Sequence, residues 1–534
     1  MSIIKQITDE IESVSGVSLL NVDPGKATNR TVVTFVGDPK SVIEAAFRGI
    51  KKAGELIDMS RHSGEHPRMG ATDVCPLIPI SDISMAETAM YAQELASKVG
   101  RELQIPVYLY EEAQPDKKRS NLSVIRAGEY EGFFKKIKQP EWKPDHGPAE
   151  HDARRGATVI GARDFLVAYN VNLNTTSTRR ANAIAFDVRE AGRKIKNEKG
   201  EEVIQPGTLK SVKAIGWFIE EYGIAQISMN LTNINVTPVH IAFDEVCKKA
   251  EARGIRVTGS ELVGLIPLKA MLDAGKYFLK KQQRSAGVSE KELIRIAILS
   301  MGLDEISPFN PDEKIIEHKM ANVSNKYISM TLSGFADETA SESPAPGGGS
   351  VAAYVGSLAM SLAAMVANLS SHKKGWDDRW EEFSNWAEKG QQLKNTLLRL
   401  VDEDTFAFNQ IMNAFALPKS TEAEKTTRSR TIQDATKYAI EVPFRVMQTT
   451  FEGMEIIKAM AQSGNPNSVS DAGVAALCAR SAVMGAFMNV RINAAGYSDK
   501  SFANDIIEKG KEIENKTKAA EAEIVKIVNE KIGV

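Results

Sequence analysis

The sequence has 534 residues, of which 43% are hydrophobic and 25% charged, and its formal net charge is −2. This length predicts several domains, the composition excludes wholesale disorder, and the near-neutral charge gives no overall attraction to nucleic acid or anionic lipid. The three cysteines lie far apart with no C-x-x-C spacing, which argues against a disulfide framework and a zinc knuckle. The first sixteen residues mix charges with isoleucines, unlike a signal peptide, so we expect a cytoplasmic protein.

Residues 1–320 alternate β-branched runs with helical patterns. An amphipathic helix is predicted to begin at the third residue and to lead directly into a strand over Val17–Val22. The next predicted strands are Thr31–Gly37, Ile105–Tyr110, Phe165–Leu173 and Gln226–Thr237, and the predicted helices are Ser41–Met59, with a serine cap, and Pro238–Ala252. This alternation predicts an α/β fold, and its reset near Phe165 predicts two subdomains, 1–165 and 166–320. The polar stretch Arg193–Gly207 predicts an exposed loop or hairpin.

A linker is predicted over residues 321–328, and the domain that follows, 329–534, shows almost only helical patterns. Its predicted helices are Val351–Leu369, Arg379–Leu417, Thr426–Gln462, Asp471–Asn493 and Ser501–Lys531. The first of these has nineteen uncharged residues, enough to span a membrane. Because it is rich in Ala, Ser and Gly and no second such segment is evident, we expect a buried helix and no membrane span.

The stretch RHSGEHPRMG contains His62 and His66 in the H-x-x-E-H spacing of some zinc peptidases. Two imidazoles at this spacing converge on one ion only if they share a helical face. Gly64 lies between them and Pro67 follows directly, and both residues oppose a helix. We therefore expect a loop without metal, and a zinc hydrolase stays an alternative that requires a helix here.

Asp404 lies in the middle of an apolar stripe at helical spacing, with Asp402 and Glu403 on polar sides of the same helix. The stripe consists of Leu393, Leu397, Leu400, Phe408, Ile411 and Phe415. A carboxylate on a buried face costs several kcal/mol unless it is paired or protonated. Burial also raises its pKa, which suits a proton donor, although a satisfied structural aspartate would show the same pattern.

Two stretches of the helical domain predict turns at helix starts. PAPGGGSVAA, with Gly347, Gly348, Gly349 and Ser350, leads into the apolar helix, so its backbone N–H groups can form an anion site, although a flexible linker has a similar composition. SGNPNSVSDAGVAA caps a later helix with Ser470 or Asp471. Asp471 either edges the same cavity or is a structural cap.

Seven blocks follow one another along the chain, and together they carry a family resemblance. The blocks are VDPGKATNRTVVTFVG, LIDMSRHSGEHPRMGATDVCPLIPI, PVYLYEEA, IRAGEYEG, GARDFLVAYNVNL, GSELVGLIPLKAMLDAG and PAPGGGSVAA. Their order resembles that of formimidoyltransferase-cyclodeaminase, the bifunctional folate enzyme of histidine degradation, in a bacterial-type form. The resemblance implies an N-terminal α/β (α+β sandwich) transferase half of two similar subdomains and a C-terminal all-α cyclodeaminase domain.

The resemblance also implies two reactions. The first transfers the formimino group from N-formimino-L-glutamate to tetrahydrofolate, and the second cyclises 5-formiminotetrahydrofolate to 5,10-methenyltetrahydrofolate with release of ammonia. It places the general acid/base of the transferase on His66, a residue type that can deprotonate one nitrogen and protonate another near neutral pH. Asp23 is implied to orient or charge-balance His66, with His62 as a neighbour. In the helical domain the catalytic aspartate falls on Asp404.

The folate-binding stretch of the family falls on one loop. It consists of Gly147, Pro148, Ala149, Glu150, His151, Asp152, Ala153, Arg154, Arg155 and Gly156. Arg154 and Arg155 are candidates to engage the glutamyl carboxylates of folate, although such a pair is also typical of a solvent-facing loop. The resemblance further implies tetrahydrofolate, polyglutamylated, as co-substrate, no metal, and a homo-oligomer.

The usual N-terminal strand and turn of the family, close to Val-Pro-Asn-Phe-Ser-Glu-Gly, does not precede the first helix. One explanation is a start codon assigned too far downstream, and the other is a damaged transferase sheet. The second explanation motivates an alternative function, a cyclodeaminase whose first half is a non-catalytic folate-binding and assembly module.

Overall fold

The computed structural model describes residues 2–25, 29–63, 68–80, 82–150, 152–320 and 326–533. The chain divides into two compact units. The first unit comprises residues 1–270 and 301–320, and the second comprises residues 271–300 and 321–534. The first unit contains the strands and the second is helical, which confirms the predicted fold class.

The first subdomain of the mixed unit has two small sheets. Strands β1 (Val17–Gly25) and β2 (Arg30–Gly37) form an antiparallel hairpin. Strands β3 (Val74–Leu77), β4 (Val107–Glu111) and β5 (Thr158–Ala162) form a parallel sheet in the order β3-β5-β4. The helices are α1 (Ile3–Glu12), α2 (Pro39–Leu56), α3 (Met85–Lys98), α4 (Leu122–Ile125) and α5 (Glu129–Lys136). These bounds agree with the predicted helix at the third residue and with the strands after it.

Helix α2 begins two residues before its predicted serine cap. The Asp38 carboxylate accepts hydrogen bonds from the backbone N–H groups of Lys40 and Ser41, at 3.1 Å each. Pro39 follows as the first helical residue, where its missing N–H costs nothing. The prediction that Ser41 caps this helix was therefore wrong, because aspartate one turn earlier satisfies the first N–H groups.

The second subdomain has an antiparallel sheet in the order β11-β6-β10-β9. Its strands are β6 (Val167–Leu173), β7 (Arg193–Lys196), β8 (Glu202–Gln205), β9 (Val212–Ile219), β10 (Ile224–Leu231) and β11 (Val257–Val263). Its helices are α6 (Thr178–Val188) and α7 (Val239–Glu251). Most of the next two helices, α8 (Leu268–Lys281) and α9 (Glu290–Met301), belongs to the second unit, and α10 (Pro311–Lys314) and α11 (Ile316–Met320) belong to the first. Strands β7 and β8 pair as an exposed hairpin, which confirms that prediction.

The second unit is built from long helices. They are α12 (Leu332–Thr339), α13 (Gly348–Ser371), α14 (Trp380–Ala416), α15 (Glu422–Glu452), α16 (Met454–Ser463), α17 (Val469–Ala495) and α18 (Lys500–Ile532). The single helix predicted over 426–462 is two helices, divided at Gly453. A Cβ atom at Gly453 would lie 2.1 Å from the Sδ atom of Met360, so the chain approaches α13 too closely for a larger residue.

Helices α13 and α17 pack side by side in opposite directions. A Cβ atom built on Gly348 would lie 3.5 Å from the Nδ2 atom of Asn489, and the Asn465 N–H donates to Ser370 Oγ at 2.8 Å. The start of α13 therefore lies beside the end of α17. Both α13 and the stretch 466–495 are long and apolar enough to cross a membrane by length and composition. In the structure, 61% and 50% of their most apolar segments are buried. The expectation of one such segment was wrong.

The predicted linker ends inside the helical unit. Residues 321–325 lie outside the described residues, but Tyr327 is only 6% exposed and belongs to the apolar core. Its N–H donates to Asp402 Oδ1 at 2.8 Å, and the Ile328 N–H lies 3.3 Å from Oδ2. The linker prediction was therefore wrong for residues 327–328. Asp402, predicted on a polar side of its helix, is the acceptor that holds this segment.

Replacing Asp402 by Ala should lower the free energy of unfolding of the helical unit by about 1–3 kcal/mol, because two backbone N–H groups beside a buried tyrosine lose their acceptor. Urea unfolding followed by circular dichroism measures this change. Asp378→Ala, at an exposed position, is the matched control and should change stability by less than about 0.5 kcal/mol. Equal stability of the two variants would contradict the assignment.

Candidate active sites

Asp404 of α14 lies against the first turn of α13. A Cβ atom built on Gly349 would be 2.2 Å from Asp404 Oδ1, so glycine is required for the carboxyl group to come this close. Gly347 is the N-cap residue of α13 and provides no side chain to cap it. The start of a helix carries a partial positive charge and exposed N–H groups, and the Asp404 carboxyl group occupies that position.

Ser350 holds this carboxyl group in place. The Ser350 side chain is fully buried, and its Oγ atom lies 3.2 Å from Asp404 Oδ2 and 2.8 Å from the carbonyl oxygen of Val401. Thr405 Oγ1 lies 3.3 Å from the same hydroxyl group. The Ser350 backbone also donates a hydrogen bond to Asp404. The serine at the predicted turn is thus the direct partner of the aspartate.

The environment of Asp404 favours its protonated form. Burial raises the pKa of the Asp404 carboxyl group, and the side-chain and backbone hydrogen bonds from Ser350 offset only part of this rise. Asp404 is half-buried, and its carboxyl group is paired with Ser350 and is not alone. The predicted apolar stripe continues only in part, because Leu397 is buried while Phe415 is 51% exposed.

Other polar residues near this site were missed in the sequence. Asn489 of α17 lies beside Gly348 and donates from Nδ2 to the Gly485 carbonyl oxygen at 3.0 Å. Glu403 accepts hydrogen bonds from the hydroxyl group of Tyr438, at 2.5 Å, and from Arg445. These partners come from helices α15 and α17, more than thirty positions away along the chain, so no local pattern reveals them.

Asp471 lies far from Asp404. Asn489, near the end of α17, lies beside the start of α13 and therefore near Asp404. Asp471 is at the start of α17, eighteen residues before Asn489, which places the two residues about 27 Å apart along the helix at 1.5 Å per residue. The option that Asp471 edges the Asp404 cavity was therefore wrong within one chain. Its position in the first turn of α17 is that of a helix-end carboxylate, where the helix dipole stabilises negative charge.

The transferase candidate His66 lies outside the described residues, together with Gly64, Glu65 and Pro67. His62 follows a 3-10 turn and has an extended backbone, with φ −105° and ψ 132°. Its Nδ1 atom lies 3.0 Å from the side-chain nitrogen of Asn29. The helix that a zinc site would need is therefore not formed at the first histidine of the pattern.

The segment that contains His66 is held at both described ends by the predicted folate-binding loop. On one side the Met59 N–H donates to the carbonyl oxygen of Arg154 at 2.8 Å. On the other side the Ala71 N–H donates to the carbonyl oxygen of Arg155, also at 2.8 Å. Two stretches that lie some ninety positions apart in the sequence are thus brought together.

The glycine at the end of this loop permits the contact. Gly156 pairs with Gly70 in a β-bridge and has a φ of +70°. A Cβ atom there would lie 2.1 Å from the carbonyl oxygen of Met69, so only glycine fits. At the other end of the loop, Gly147, Ala149 and Glu150 are exposed. His151 lies outside the described residues.

Arg155 stabilises the loop from inside. Its guanidinium group donates to the Asp152 carboxylate and to the carbonyl oxygens of Leu103, at 2.7 Å, and Gln104, at 3.4 Å. Although burial raises the pKa of Asp152, hydrogen bonds from Arg155 and Arg154 hold it below its usual value. These hydrogen bonds hold the Arg155 side chain within the protein, although it is still 31% exposed, and the expectation that Arg155 engages folate stays a prediction.

Arg154 and Asp23 occupy more open positions. Arg154 is exposed and donates from Nη2 to the carbonyl oxygen of Glu55 at 2.6 Å. Asp23 is exposed on β1 near Arg30. Burial lowers the pKa of Arg30, as does the positive charge of Arg126, while Asp73 and Asp23 oppose this shift. The sequence analysis did not identify this cluster of Arg30, Arg126, Asp73 and Asp23. The relation of Asp23 to His66 stays a prediction.

Replacing Arg155 by Ala should lower the free energy of unfolding by about 2–3 kcal/mol, because a half-buried carboxylate and two carbonyl groups lose a charged donor. Urea unfolding measures this change. Arg154→Ala, on the neighbouring exposed residue, should cost at most about 1 kcal/mol. An Arg155→Ala variant of unchanged stability but weakened folate binding would support the original expectation for this residue.

Replacing Asp404 by Asn should change how stability depends on pH. The pKa of Asp404 is higher in the folded protein than in the unfolded chain. Protonated Asp404 therefore stabilises the fold fully at pH values below its pKa in the unfolded chain, and this stabilisation is lost as the pH rises through its pKa in the folded protein. The neutral Asn does not ionise. The free energy of unfolding of Asp404→Asn minus that of the original protein should therefore increase from about pH 4 to pH 8. A difference that is constant across this range would contradict the buried, proton-favouring site.

Comparisons with known proteins identify the family to which the chain is similar. The family sequence model described as formiminotransferase-cyclodeaminase matches residues 331–512. The models described as formiminotransferase domain, N-terminal subdomain, and formiminotransferase domain match residues 1–163 and 168–321. The three matches together span most of the chain.

Curated relatives cover either the whole chain or part of it. A formimidoyltransferase-cyclodeaminase of Gallus gallus is 43% identical over 505 residues, covering 94% of this chain and 92% of that protein. A glutamate formimidoyltransferase of Thermoplasma acidophilum is 43% identical over 279 residues, covering 52% of this chain and 87% of that protein. A methenyltetrahydrofolate cyclohydrolase of Methylorubrum extorquens is 38% identical over 175 residues, covering 33% of this chain and 84% of that protein. The chain therefore belongs to the formimidoyltransferase-cyclodeaminase family.

Proposed function

We propose that this chain carries out two consecutive conversions of an amidine. It transfers the formimino group from N-formimino-L-glutamate to tetrahydrofolate and then cyclises 5-formiminotetrahydrofolate to 5,10-methenyltetrahydrofolate with release of ammonia. The observation that carries the proposal is the Asp404 carboxyl group, buried against the start of α13 with a raised pKa. The family membership of the whole chain supports the pairing of the two activities.

The cyclisation needs a proton donor at the departing nitrogen. N10 of the folate attacks the amidine carbon and forms a C–N bond, and the N10 proton passes to the former imino nitrogen, which becomes an amine on a tetrahedral carbon. Asp404 gives its proton to that amine, the C–N bond breaks, and ammonia leaves. The methenyl cation then lies beside the newly formed Asp404 carboxylate, which stabilises it electrostatically. Burial raises the pKa of this carboxyl group, which suits a group that gives a proton.

The transfer needs a group that exchanges protons in both directions. His66 accepts the proton lost by N5 of tetrahydrofolate as it attacks the formimino carbon, and it donates a proton to the glutamate nitrogen as that bond breaks. An imidazole does this near neutral pH. The described ends of the His66 segment contact Arg154 and Arg155, which supports placing the folate beside His66. Asp23 is the proposed partner that orients or balances the charge of the imidazole.

The exposed half of the folate-binding loop, with Arg154, is where we place the glutamyl tail of a polyglutamylated tetrahydrofolate. Both reactions use side chains as proton donors and acceptors, so we propose no metal requirement. We further propose that the protein is a cytoplasmic homo-oligomer of histidine degradation. These features follow from the family and from the chemistry of the substrates.

Separate assays of the two reactions test this function. With N-formimino-L-glutamate and tetrahydrofolate, His66→Ala should abolish glutamate release, because the general acid/base is lost, while ammonia release from supplied 5-formiminotetrahydrofolate continues. Asp404→Asn should give the reverse result. Asp471→Asn, far from Asp404, is the matched control and should retain both activities.

Two outcomes would contradict the assignment. Absence of glutamate release by the original protein, with ammonia release intact, would favour the cyclodeaminase alternative with a non-catalytic first half. Loss of both activities in either variant would contradict two separate sites.

A further inference from the structure

The hydroxyl group of Ser350 has one hydrogen atom and two acceptors that compete for it. The Val401 carbonyl oxygen lies 2.8 Å away and Asp404 Oδ2 lies 3.2 Å away. Since a hydroxyl group donates one hydrogen bond and accepts up to two, it cannot donate to both at once. The shorter contact is to Val401, which is the geometry of a hydroxyl group that donates to the carbonyl and turns a lone pair towards Asp404.

That arrangement is favourable only while Asp404 carries a proton. A protonated carboxyl group donates to the lone pair of Ser350, whereas an ionised carboxylate faced by a lone pair would be repelled. When Asp404 loses its proton, rotation about the Cβ–Oγ bond turns the Ser350 hydrogen from Val401 to the new carboxylate. The backbone of Val401 loses little, because its carbonyl oxygen lies within the continuous helix α14.

We propose that Ser350 is a positioning residue for the cyclisation, whose hydroxyl group turns from Val401 to Asp404 as Asp404 gives its proton to the departing amine. The inference rests on the proposed cyclodeaminase activity. No atom is gained or lost by Ser350: the O–H group of Asp404 turns from Ser350 to the amine, its proton moves there and ammonia departs. The hydrogen bond that the carboxyl group donated to Ser350 is replaced by one that Ser350 donates to the new carboxylate. Water returns the proton before the next turnover.

The two charged residues that precede Asp404 in the sequence are bonded to other partners. Within α14, Asp402 is bonded to the backbone of Tyr327, and Glu403 is bonded to Tyr438 and Arg445 of α15.

The described neighbours of Asp404 at the start of α13 and on α17 are neutral. The preceding residues Gly347–Gly349 of α13 have no side chains, and Asn489 of α17 carries no charge. Among the described residues, the side chain in place to donate a hydrogen bond to an ionised Asp404 is that of Ser350. Removal of the Ser350 hydroxyl group should therefore change the pKa of Asp404 more than it changes the shape of the site.

The decisive experiment is the pH dependence of kcat for ammonia release from 5-formiminotetrahydrofolate by the full-length chain. In the original protein the rate should fall at high pH as Asp404 loses its proton. Ser350→Ala removes a hydrogen bond to the ionised form, so this alkaline limb should move to higher pH by about one to two pH units. The plateau rate should fall about tenfold or more, because the weaker acid donates its proton less readily.

Two controls separate this role from a general effect on the fold. Thr405→Val removes the neighbouring hydroxyl group, 3.3 Å from Ser350 Oγ, and should leave the alkaline limb in place. Ser350→Thr, which keeps a hydroxyl group, should restore the limb towards its original pH. Circular dichroism and urea unfolding of each purified variant report whether the helical unit is folded, and glutamate release reports on the first unit.

The outcomes are distinct. A Ser350→Ala variant with a lower rate but an unmoved limb would overturn the proposal, as would an equal shift in Thr405→Val. If Ser350→Ala does not fold, the pH profile of kcat for Ser350→Thr decides. An alkaline limb at the same pH as in the original protein supports the proposal, and an alkaline limb displaced by more than about one pH unit overturns it. If the original protein releases no ammonia, the proposed function fails, which is a different result from an unmoved limb.

Discussion

The contact between the Asp404 carboxyl group and the first turn of α13 is the constraint on which the helical site depends. It requires a glycine at position 349, since any side chain would displace the carboxyl group. It also requires a buried serine at the next position. The positive end of the helix favours the ionised carboxylate while burial favours the protonated form. A group balanced between these two influences can give and regain a proton in each turnover.

The first unit uses a different device. There the described residues on either side of the proposed transferase histidine are joined to a second loop through backbone hydrogen bonds. Arg155 and Asp152 stabilise that second loop from within. The two candidate sites are thus supported in two ways, one by packed helices and the other by hydrogen bonds between main-chain segments.

Much of the fold could be predicted because periodicity is a local property. The strands over 31–37 and 165–173 and most long helices were found within a few residues, as was the buried side of α14. The errors came from tertiary contacts. The break at Gly453 depends on Met360, and the position of Asp471 depends on the antiparallel packing of α17. Neither contact leaves a signal in the neighbouring residues.

The candidate sites show the same limit. Asp404 could be singled out from its place in an apolar stripe, but its pairing with Ser350 could not, because the two residues are fifty-four positions apart. Arg155 was expected to meet the ligand since charge in a loop is typical of binding. In the structure its donors are used by Asp152 and by main-chain carbonyl groups. The resemblance to a family located the loop correctly without revealing which side chains face outward.

The fastening of the His66 segment by main-chain atoms has a consequence for how this protein can vary. The Met59 N–H and the Ala71 N–H meet carbonyl oxygens that every amino acid possesses. Mutations that replace the side chains at 154 or at the exposed positions before it therefore leave the junction intact, provided that the glycine at 156 is kept. Substrate preference in this half of the enzyme can drift during evolution while the catalytic segment stays anchored.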